Sequence, residues 1–335
     1  MSTSNPQLQF RTRARLGVGL ALFSAACFST AGSFARALTD AGWSTGAEVF
    51  VRVATAAAIL AIPAVLALRG RWAALRRNAR SIVLYGVVTV ALCQLCYFKA
   101  VEHLSVGVAL LLEYLGIVLI VGWMWIRHGQ RPRRLTALGS IAALLGLVLV
   151  IDVLGGARLD PIGVLAALGA AVGLATYFVL SSSASDELPP VALAAAGLSV
   201  GAIAILALGL VGALPVHFGA GVVTFAGARV SWVVPVGGMS VVACAIAYVA
   251  GIGAVRRLGP TLGSFIGLTE VIFAVLFAWA FLGQLPTALQ LVGGALIVGG
   301  VALVRADELG REPPRAPTRS DAVAGRDDTR LPRAA

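Results

Sequence analysis

Two glutamates stand inside long apolar stretches of this sequence, where a carboxyl group is costly. Glu113 lies eight residues past Ser105, about 12 Å along a helix. Glu270 lies eleven residues past Gly259, about 16 Å along. Both therefore fall near the middle of a hydrocarbon layer about 30 Å thick, where an acid costs at least ~2.5 kcal/mol and is usually functional. Each could carry a proton or bind a substrate amine, and the alternative is a protonated acid hydrogen-bonded between helices.

Five further polar side chains lie in predicted helices and could line a cavity for an amphiphilic solute. They are Gln94, Tyr97, Tyr177, Tyr248 and Arg52. Tyrosines are also ordinary packing and interface residues in membrane proteins, which is the alternative for each of them. Arg52 follows Glu48 by one helical turn, which allows either an ion pair between the two or a contact with a substrate carboxylate.

The composition indicates what kind of elements must hold these residues. Of the 335 residues, 59% are hydrophobic and 12% charged, and the mean hydropathy is +0.92. A soluble domain has roughly a quarter charged residues, so this chain has too few charges to cover a surface in water. The net charge of +11 comes from short arginine clusters between apolar stretches, which does not fit a nucleic-acid surface. The prediction is an all-α integral membrane protein, with lipid as a partner and no nucleic acid.

Ten apolar stretches are long enough to cross a bilayer, which takes about 20 residues. They are residues 16–38, 45–68, 80–100, 104–126, 135–153, 161–182, 190–214, 230–255, 260–282 and 287–304. We therefore predict ten transmembrane helices in two five-helix units, residues 16–153 and 160–305. A cytoplasmic tail at 1–15 precedes them, and a disordered tail at 306–335, rich in Pro, Arg and Asp, follows.

The two units are copies of one pattern. Residues 101–109 correspond to residues 255–263, about 154 positions later. Because five is an odd number, the second copy must enter the membrane from the opposite side, as in inverted-repeat transporters with binding sites near the midplane. In each copy, small residues and one acid share a helix face: Ser105, Ala109, Glu113 and Gly116, then Gly259, Gly263, Gly267 and Glu270.

Other features predict orientation and association. With the amino terminus inside, arginines concentrate in the cytoplasmic connections near residues 69–80, 127–134 and 256–257. Both termini are therefore predicted to be cytoplasmic, in the inner (plasma) membrane. Gly139, Ala142, Ala143 and Gly146 form a small-residue face that could serve either a homodimer or a contact within the chain.

Three segments carry a resemblance to a known family. Residues 110–116 read LLLEYLG, residues 267–286 read GLTEVIFAVLFAWAFLGQLP, and residues 291–303 read LVGGALIVGGVAL. With these segments the sequence resembles the EamA branch of the drug/metabolite transporter superfamily over nearly its whole length. Similar bacterial proteins export amino acids such as threonine and homoserine, and others move diverse metabolites. The family often has proline where Gly116 stands, so the usual cause of a kink is missing there.

No motif indicates an enzyme, since the sequence has no nucleophile elbow, zinc-protease helix or phosphate-binding loop. Cys93 and Cys96 have CxxC spacing without a second pair or a histidine cluster, so we expect packing residues and no metal or cofactor. His103, His128 and His217 lie in predicted loops and are expected to be solvated.

The leading hypothesis is a secondary transporter that exports an amino acid or related small metabolite, coupled to protons, by alternating access. Its cavity would be lined by the third, fourth, eighth and ninth helices, with Glu113 and Glu270 titrating and Arg52 holding a carboxylate. The nearest alternative is an uncoupled facilitator or an importer of small metabolites. More distant alternatives are an intramembrane enzyme and a non-transporting membrane scaffold.

Overall fold

The computed structural model describes residues 6–103, 109, 112–129, 133–151, 160–183, 188–282 and 287–309. Ser105 and the terminal residues 1–5 and 310–335, which include most of the predicted carboxyl-terminal tail, lie outside the described residues. The described helices are numbered in chain order as α1 (Pro6–Ser29), α2 (Ala31–Thr39), α3 (Thr45–Ala67), α4 (Trp72–Arg77), α5 (Ala79–Leu84), α6 (Cys93–His103), α7 (Gly116–His128), α8 (Arg134–Ile151), α9 (Pro161–Ser183), α10 (Pro190–Leu210), α11 (Val233–Ser240), α12 (Ala247–Leu258), α13 (Pro260–Gly267), α14 (Thr269–Leu282) and α15 (Ala288–Leu309).

Among the described residues, six helical segments are long and apolar enough to cross a membrane. They are Ala14–Thr39, Thr45–Ala67, Ala79–Ala100, Pro161–Ser183, Pro190–Leu210 and Val233–Leu258. Large apolar side chains cover their outer faces, with Ile62 72% exposed, Leu165 71% and Ile203 68%. Water disfavours such faces and hydrocarbon accommodates them. The chain is a helical multi-pass membrane protein, as predicted.

The helix ends differ from the predicted bounds. α1 begins at Pro6, before the predicted start at residue 16, and α15 continues to Leu309, past the predicted end of the second unit at residue 305. The apolar pattern marks only the part of a helix that lies in lipid, because backbone hydrogen bonds can continue the same helix into water.

The first predicted helix is divided in two. A turn at Thr30 separates α1 from α2, and the hydroxyls of Ser29 and Thr30 donate to the carbonyl oxygens of Ala26 and Cys27, each at 2.7 Å. Side-chain hydroxyls that bond to nearby carbonyls compete with the helical ladder and favour such a break.

The connection between α10 and α11 contains a β-hairpin, which the sequence did not predict. β1 (Val222–Phe225) pairs antiparallel with β2 (Ala228–Ser231) across a turn at Ala226 and Gly227, which both have positive φ. Such two-residue turns match the twist of the strands. The search for long apolar stretches missed the hairpin because each strand has four residues, and the predicted eighth helix consequently starts at Val233 rather than at residue 230.

The hairpin belongs to a cap at one end of the bundle, which we call the hairpin end. The Ser44 amide donates to the His217 carbonyl oxygen at 3.0 Å, and the Ala220 amide donates to the Ala41 carbonyl oxygen at 2.9 Å. Trp43 lies between Phe218 and Trp232, with ring centroids 5.3 and 5.6 Å away. These contacts join the α2–α3 connection to the segment that carries the hairpin.

The packing of the helices repeats with the period of the sequence. α1 packs along α12, and their counterparts in the other copy, α9 and α6, pack along each other. α3 packs against its own counterpart α10, and α8 against its counterpart α15. π-helical stretches occupy corresponding places, Tyr85–Leu92 between α5 and α6 and Val241–Ile246 between α11 and α12. The two copies therefore share interruptions as well as helices.

Each copy also has a tight turn within its fourth helical stretch. The Leu115 amide donates to the Leu112 carbonyl oxygen, and the Leu268 amide donates to the Phe265 carbonyl oxygen, both at 3.2 Å. The first turn forms without a proline, since Gly116 follows it. Glycine allows a close approach there, because a Cβ atom on Gly116 would lie 2.6 Å from the carbonyl oxygen of α9 residue Ala171.

His103 is not the solvated loop residue that the sequence predicted. It lies at the end of α6, and its Nδ1 is 3.1 Å from Asp160 Oδ2, just before α9. The Ile162 amide donates to the same carboxylate at 2.8 Å. This amide, with a smaller contribution from His103, holds the pKa of Asp160 below its usual value.

The small-residue face of α8 packs within the chain. A Cβ atom on Gly146 would lie 2.5 Å from the Gly293 carbonyl oxygen, and one on Gly139 would lie 2.7 Å from that of Gly300. A Cβ atom on Gly300 would in turn lie 2.5 Å from the Gly139 carbonyl oxygen. The sequence left open whether this face serves a homodimer or a contact within the chain. The structure shows a contact within the chain, between α8 and α15.

Two adjacent glycines of α15 test this close crossing. Gly300→Ala should lower the free energy of unfolding by about 1–3 kcal/mol, because the new methyl group overlaps the α8 backbone. Gly299→Ala is the matched control, since a Cβ atom there meets nothing within 4 Å and alanine favours helix by up to about 1 kcal/mol. Unfolding of both variants in detergent micelles measures the difference. Equal stability of the two variants would contradict the packing described.

Candidate functional site

A cavity of about 530 Å³ lies among helices of both copies, within the size range of small-molecule sites. It collects all the site residues that the sequence predicted: Glu113, Glu270, Gln94, Tyr97, Tyr177, Tyr248 and Arg52. These residues come from α3, α6, residues 112–114, α9, α12 and α14. The tertiary structure thus brings together positions that are far apart in the sequence, and their roles stay predictions.

The two membrane glutamates stand beside the matched turns. Glu113 comes just before the turn at Leu115, and Glu270 comes just after the turn at Leu268, in the first turn of α14. Both carboxyl groups line the cavity and lie within electrostatic range of each other. Helix breaks leave backbone groups without ladder partners, so polar chemistry concentrates at these positions.

Neighbouring side chains hold the two carboxyl groups. The thiol of Cys93 lies 3.7 Å from Glu113 Oε1 and 3.4 Å from the Ala170 carbonyl oxygen, and can donate to either. The hydroxyl of Tyr114 lies beside Glu270 and donates to the Gly267 carbonyl oxygen at 3.5 Å. Cys93, which the sequence suggested as a packing residue, is therefore also a polar neighbour of the site.

Arg52 lines the cavity and binds a π-helical stretch of the other copy. Its side chain is 5% exposed, and its Nη2 donates to the Ala243 carbonyl oxygen at 2.8 Å. Ala243 lies within Val241–Ile246, where the wider turn interrupts the regular α-helical ladder. The guanidinium therefore lies at the interruption of α11 and α12.

Glu48 is hydrogen-bonded to Thr39 rather than paired with Arg52, the contact considered from the sequence. Its Oε1 accepts a hydrogen bond from the Thr39 hydroxyl at 2.8 Å, while Arg52 bonds to Ala243. Between these two described side chains there is no ion pair, so the proposed i,i+4 contact is not formed. Both residues line the cavity.

Aromatic rings form one wall of the cavity. The Tyr177 and Tyr248 rings are 5.8 Å apart, and Phe28 of α1 meets Tyr248 edge-on at 5.2 Å. Gly251 leaves room for this wall, since a Cβ atom there would overlap the Tyr177 hydroxyl and lie 2.8 Å from Ser24 Oγ. This glycine is therefore a structural requirement of the wall.

α1 supplies much of the lining and was not among the helices that the sequence assigned to the cavity. Ala21, Ser24, Ala25 and Phe28 line it at spacings of three and four, which places them on one helix face. This spacing of small residues before an aromatic residue is the sequence feature that could have identified α1 as part of the cavity wall. Thr89 and Tyr114 line the cavity as well, and they were also missed.

The cavity walls contain no arrangement suited to a metal ion. Within the described part of the chain, no group of three or more His, Cys, Asp or Glu side chains could hold one. The site is accordingly built from two separated carboxyl groups, one guanidinium, a buried glutamate and a wall of tyrosines.

Comparison with known proteins identifies the family. The model of the EamA-like transporter family matches residues 15–152 and again residues 161–306. The chain belongs to the EamA-like transporter family. The family resemblance predicted from the sequence is thereby confirmed, and the two EamA-like matches cover the two copies seen in the helix packing.

Individual relatives agree with this assignment. The Uncharacterized transporter YwfM of Bacillus subtilis (strain 168) is 30% identical over 122 residues, which are 35% of this chain and 41% of the relative. The match thus spans about two fifths of that relative's length. A crystal structure of a protein 22% identical in sequence superposes with a TM-score of 0.68, covering 88% of this chain and 98% of the other. The structural likeness concerns the EamA-like fold, while the family and the relative's name point to a transporter rather than an enzyme.

The aromatic wall can be tested at Gly251. Gly251→Ala should lower the free energy of unfolding by about 1–3 kcal/mol, because the methyl group displaces the Tyr177 hydroxyl. In a Tyr177→Phe background the same substitution should cost less, since the displaced hydroxyl is gone. Unfolding measurements on the four proteins give this coupling. Gly253→Ala on the same helix is the control, because a Cβ atom at this position would meet only the ends of side chains, at distances of 3.4 Å or more. If the effects of Gly251→Ala and Tyr177→Phe on the free energy of unfolding simply add in the double variant, the contact between these two positions is contradicted.

Proposed function

We propose that this protein is a secondary transporter that moves an amino acid or a related small metabolite across the inner membrane by alternating access. The observation that supports this most is the placement of Glu113 and Glu270 beside matched helix breaks, inside one cavity shared by both copies. In secondary transporters, substrate and coupling ions bind at discontinuous helices between repeats.

The proposed topology has ten crossings in two inverted copies. The six long segments supply six, and α7, α8, α13 with α14, and α15 supply the others. Five crossings per copy invert the second copy relative to the first. The arginine distribution then places both termini in the cytoplasm and the hairpin end outside.

The shape of the cavity fits one state of an alternating-access cycle. It extends from Thr39 and Thr45 at the hairpin end to Ala254 and Val255 deeper in the bundle. Beside its deeper part, a cluster of apolar side chains that includes Phe265 packs with little or no exposure. In the proposed orientation the Thr39 and Thr45 end of the cavity lies towards the outside, and rocking of the two copies would change which side has access to it.

Protons are the proposed energy source. The sequence has no phosphate-binding loop for ATP, so the energy would come from an ion gradient or from the gradient of the substrate itself. Glu113 and Glu270 would take up and release protons as the cavity changes sides, and Arg52 would hold a substrate carboxylate. The α8 face at Gly139 and Gly146 is occupied by α15, so a homodimer would use another surface.

Proton coupling is tested in proteoliposomes with Glu113→Gln and Glu270→Gln. Glutamine keeps the size and the hydrogen-bonding oxygen of glutamate but cannot carry a proton, so flux driven by an imposed pH gradient should fall to the undriven rate in each variant. Asp160→Asn is the control, because it removes a carboxylate outside the cavity and asparagine can still accept from the Ile162 amide.

Two results would contradict the coupled mechanism. Proton-linked flux that stays unchanged in both glutamine variants would remove these acids from the mechanism. Solute counterflow in the wild-type protein that is equally fast with and without a pH gradient would identify an uncoupled facilitator.

A further inference from the structure

The connection between α3 and α5 carries exposed arginines that the proposed transport mechanism does not use. It contains the short helix α4, and the exposed arginines in it or beside it include Arg69, Arg71, Arg76 and Arg80. Arg71 Nη2 donates to the Ala67 carbonyl oxygen at 3.0 Å, which holds its head group beside the end of α3. Guanidinium groups stay charged, and like charges this close in the chain repel one another. This stretch of the chain therefore attracts anions.

The surrounding sequence offers these arginines no acid. No Asp or Glu lies between Glu48 and Glu102. Among the described side chains, no carboxylate forms an ion pair with Arg69, Arg76 or Arg80. The positive charge of this connection is accordingly not balanced by its own part of the chain.

Neighbouring connections at the same end of the bundle do not supply the missing charge either. Residues 127–134 add arginines and contain no acid. Asp307, near the end of α15, is buried and accepts a hydrogen bond from the Thr136 hydroxyl of α8 at 2.6 Å. The counter-charges of the arginines near α4 are therefore not found among the described carboxylates.

The same connection lies at the edge of the lipid-facing surface. Large apolar side chains are exposed on the helices that flank it, with Ile62 of α3 72% exposed and Val83 of α5 51%. Trp72, the first residue of α4, is itself 50% exposed, whereas Ala74 is buried and Leu75 packs against the core. A tryptophan is favoured at the level of lipid headgroups, where its ring contacts hydrocarbon and its N–H remains near polar groups.

α7 shows the same combination of residues at this end. Trp123 and Trp125 are about half exposed, and Arg127 follows them on the same helix. Exposed tryptophans next to arginines on two separate helices indicate that the headgroup layer meets the bundle at this level.

We propose that Arg69, Arg71, Trp72, Arg76 and Arg80 form a binding surface for anionic phospholipids, which we call the α4 surface. The guanidinium groups donate hydrogen bonds to the phosphate oxygens, and Trp72 contacts the glycerol backbone and the first part of the acyl chains. In the proposed orientation the α4 surface meets the cytoplasmic leaflet. The inference goes beyond the proposed function, because it uses the membrane location of the chain and not its transport activity.

The apolar part of the α4 surface favours a lipid over a small soluble anion. A soluble phosphate can pair with the arginines but gains nothing from Trp72 or from exposed neighbours such as Leu66. A zwitterionic lipid gains the apolar contacts but brings an ammonium group, which the arginines repel. A phospholipid with a net negative charge satisfies both parts of the surface.

Lipid binding to the purified full-length protein tests the α4 surface. Dioctanoyl phosphatidylglycerol is the anionic probe, dioctanoyl phosphatidylcholine has the same chains on a zwitterionic headgroup, and glycerol 3-phosphate supplies the phosphate without chains. Dissociation constants and shifts in melting temperature are measured in a neutral detergent at low and at high salt. We expect phosphatidylglycerol to bind at least about tenfold more tightly than the other two at low salt. High salt should reduce this preference, because exposed charges are screened.

Substitutions locate the binding on the protein. Arg76→Gln and Arg80→Gln should each weaken phosphatidylglycerol binding by about fivefold, and the double variant by about tenfold or more. Arg229→Gln is the matched control, because this arginine is exposed on β2 at the hairpin end. Trp72→Ala should weaken the binding of both lipids and leave the preference for phosphatidylglycerol, since it removes an apolar contact and no charge. Melting without lipid checks that these surface variants fold.

The outcomes distinguish the α4 surface from its alternatives. Equal binding of the two lipids would overturn the charge selection, and equally tight binding of glycerol 3-phosphate would identify a site for soluble anions. A double variant that binds phosphatidylglycerol like the wild type would place the lipid elsewhere. Lipid binding through the α4 surface in a protein that moves no solute would support this inference and contradict the transport function, and flux without any lipid preference would do the reverse.

Discussion

The absence of hydrogen-bonding solvent in the hydrocarbon layer is the constraint from which the rest of this structure follows. A polar group there must find a partner inside the protein or line a polar cavity. Arg52 satisfies this constraint by donating to Ala243, within a π-helical stretch, and Glu48 by accepting from Thr39. Polar side chains consequently face the cavity or a hydrogen-bond partner, and the outer helical faces can be apolar.

The interruptions and the close crossings have complementary roles. Glycines such as Gly139 and Gly300 let α8 and α15 approach until backbone oxygens limit the distance, which gives a tightly packed frame. The turns at Leu115 and Leu268 stand beside Glu113 and Glu270, which line the cavity. The π-helical stretch Val241–Ile246 supplies the Ala243 carbonyl oxygen that binds Arg52.

The two copies share their frame and differ in their chemistry. Corresponding helices carry corresponding turns and π-helical stretches, but Glu113 precedes its turn and Glu270 follows its own. α3 bears Glu48 and Arg52, whereas its counterpart α10 has no charged residue at all. The repeated frame therefore carries different side chains in its two copies.

The sequence by itself determined the class of protein, its two copies and the residues that gather at the cavity. Length and hydropathy of apolar stretches report transfer into lipid, and buried acids such as Glu113 stand out against them. Only the tertiary structure decided which groups these residues contact. Arg52 binds Ala243 rather than Glu48, and the α8 glycines pack against α15. Only the structure showed that α1 forms part of the cavity wall. The hairpin at Val222–Ser231 and the break at Thr30 also appeared only there. Hydropathy depends on each residue alone, whereas partner choice depends on where distant backbones bring their free carbonyls and amides, and no local pattern encodes that.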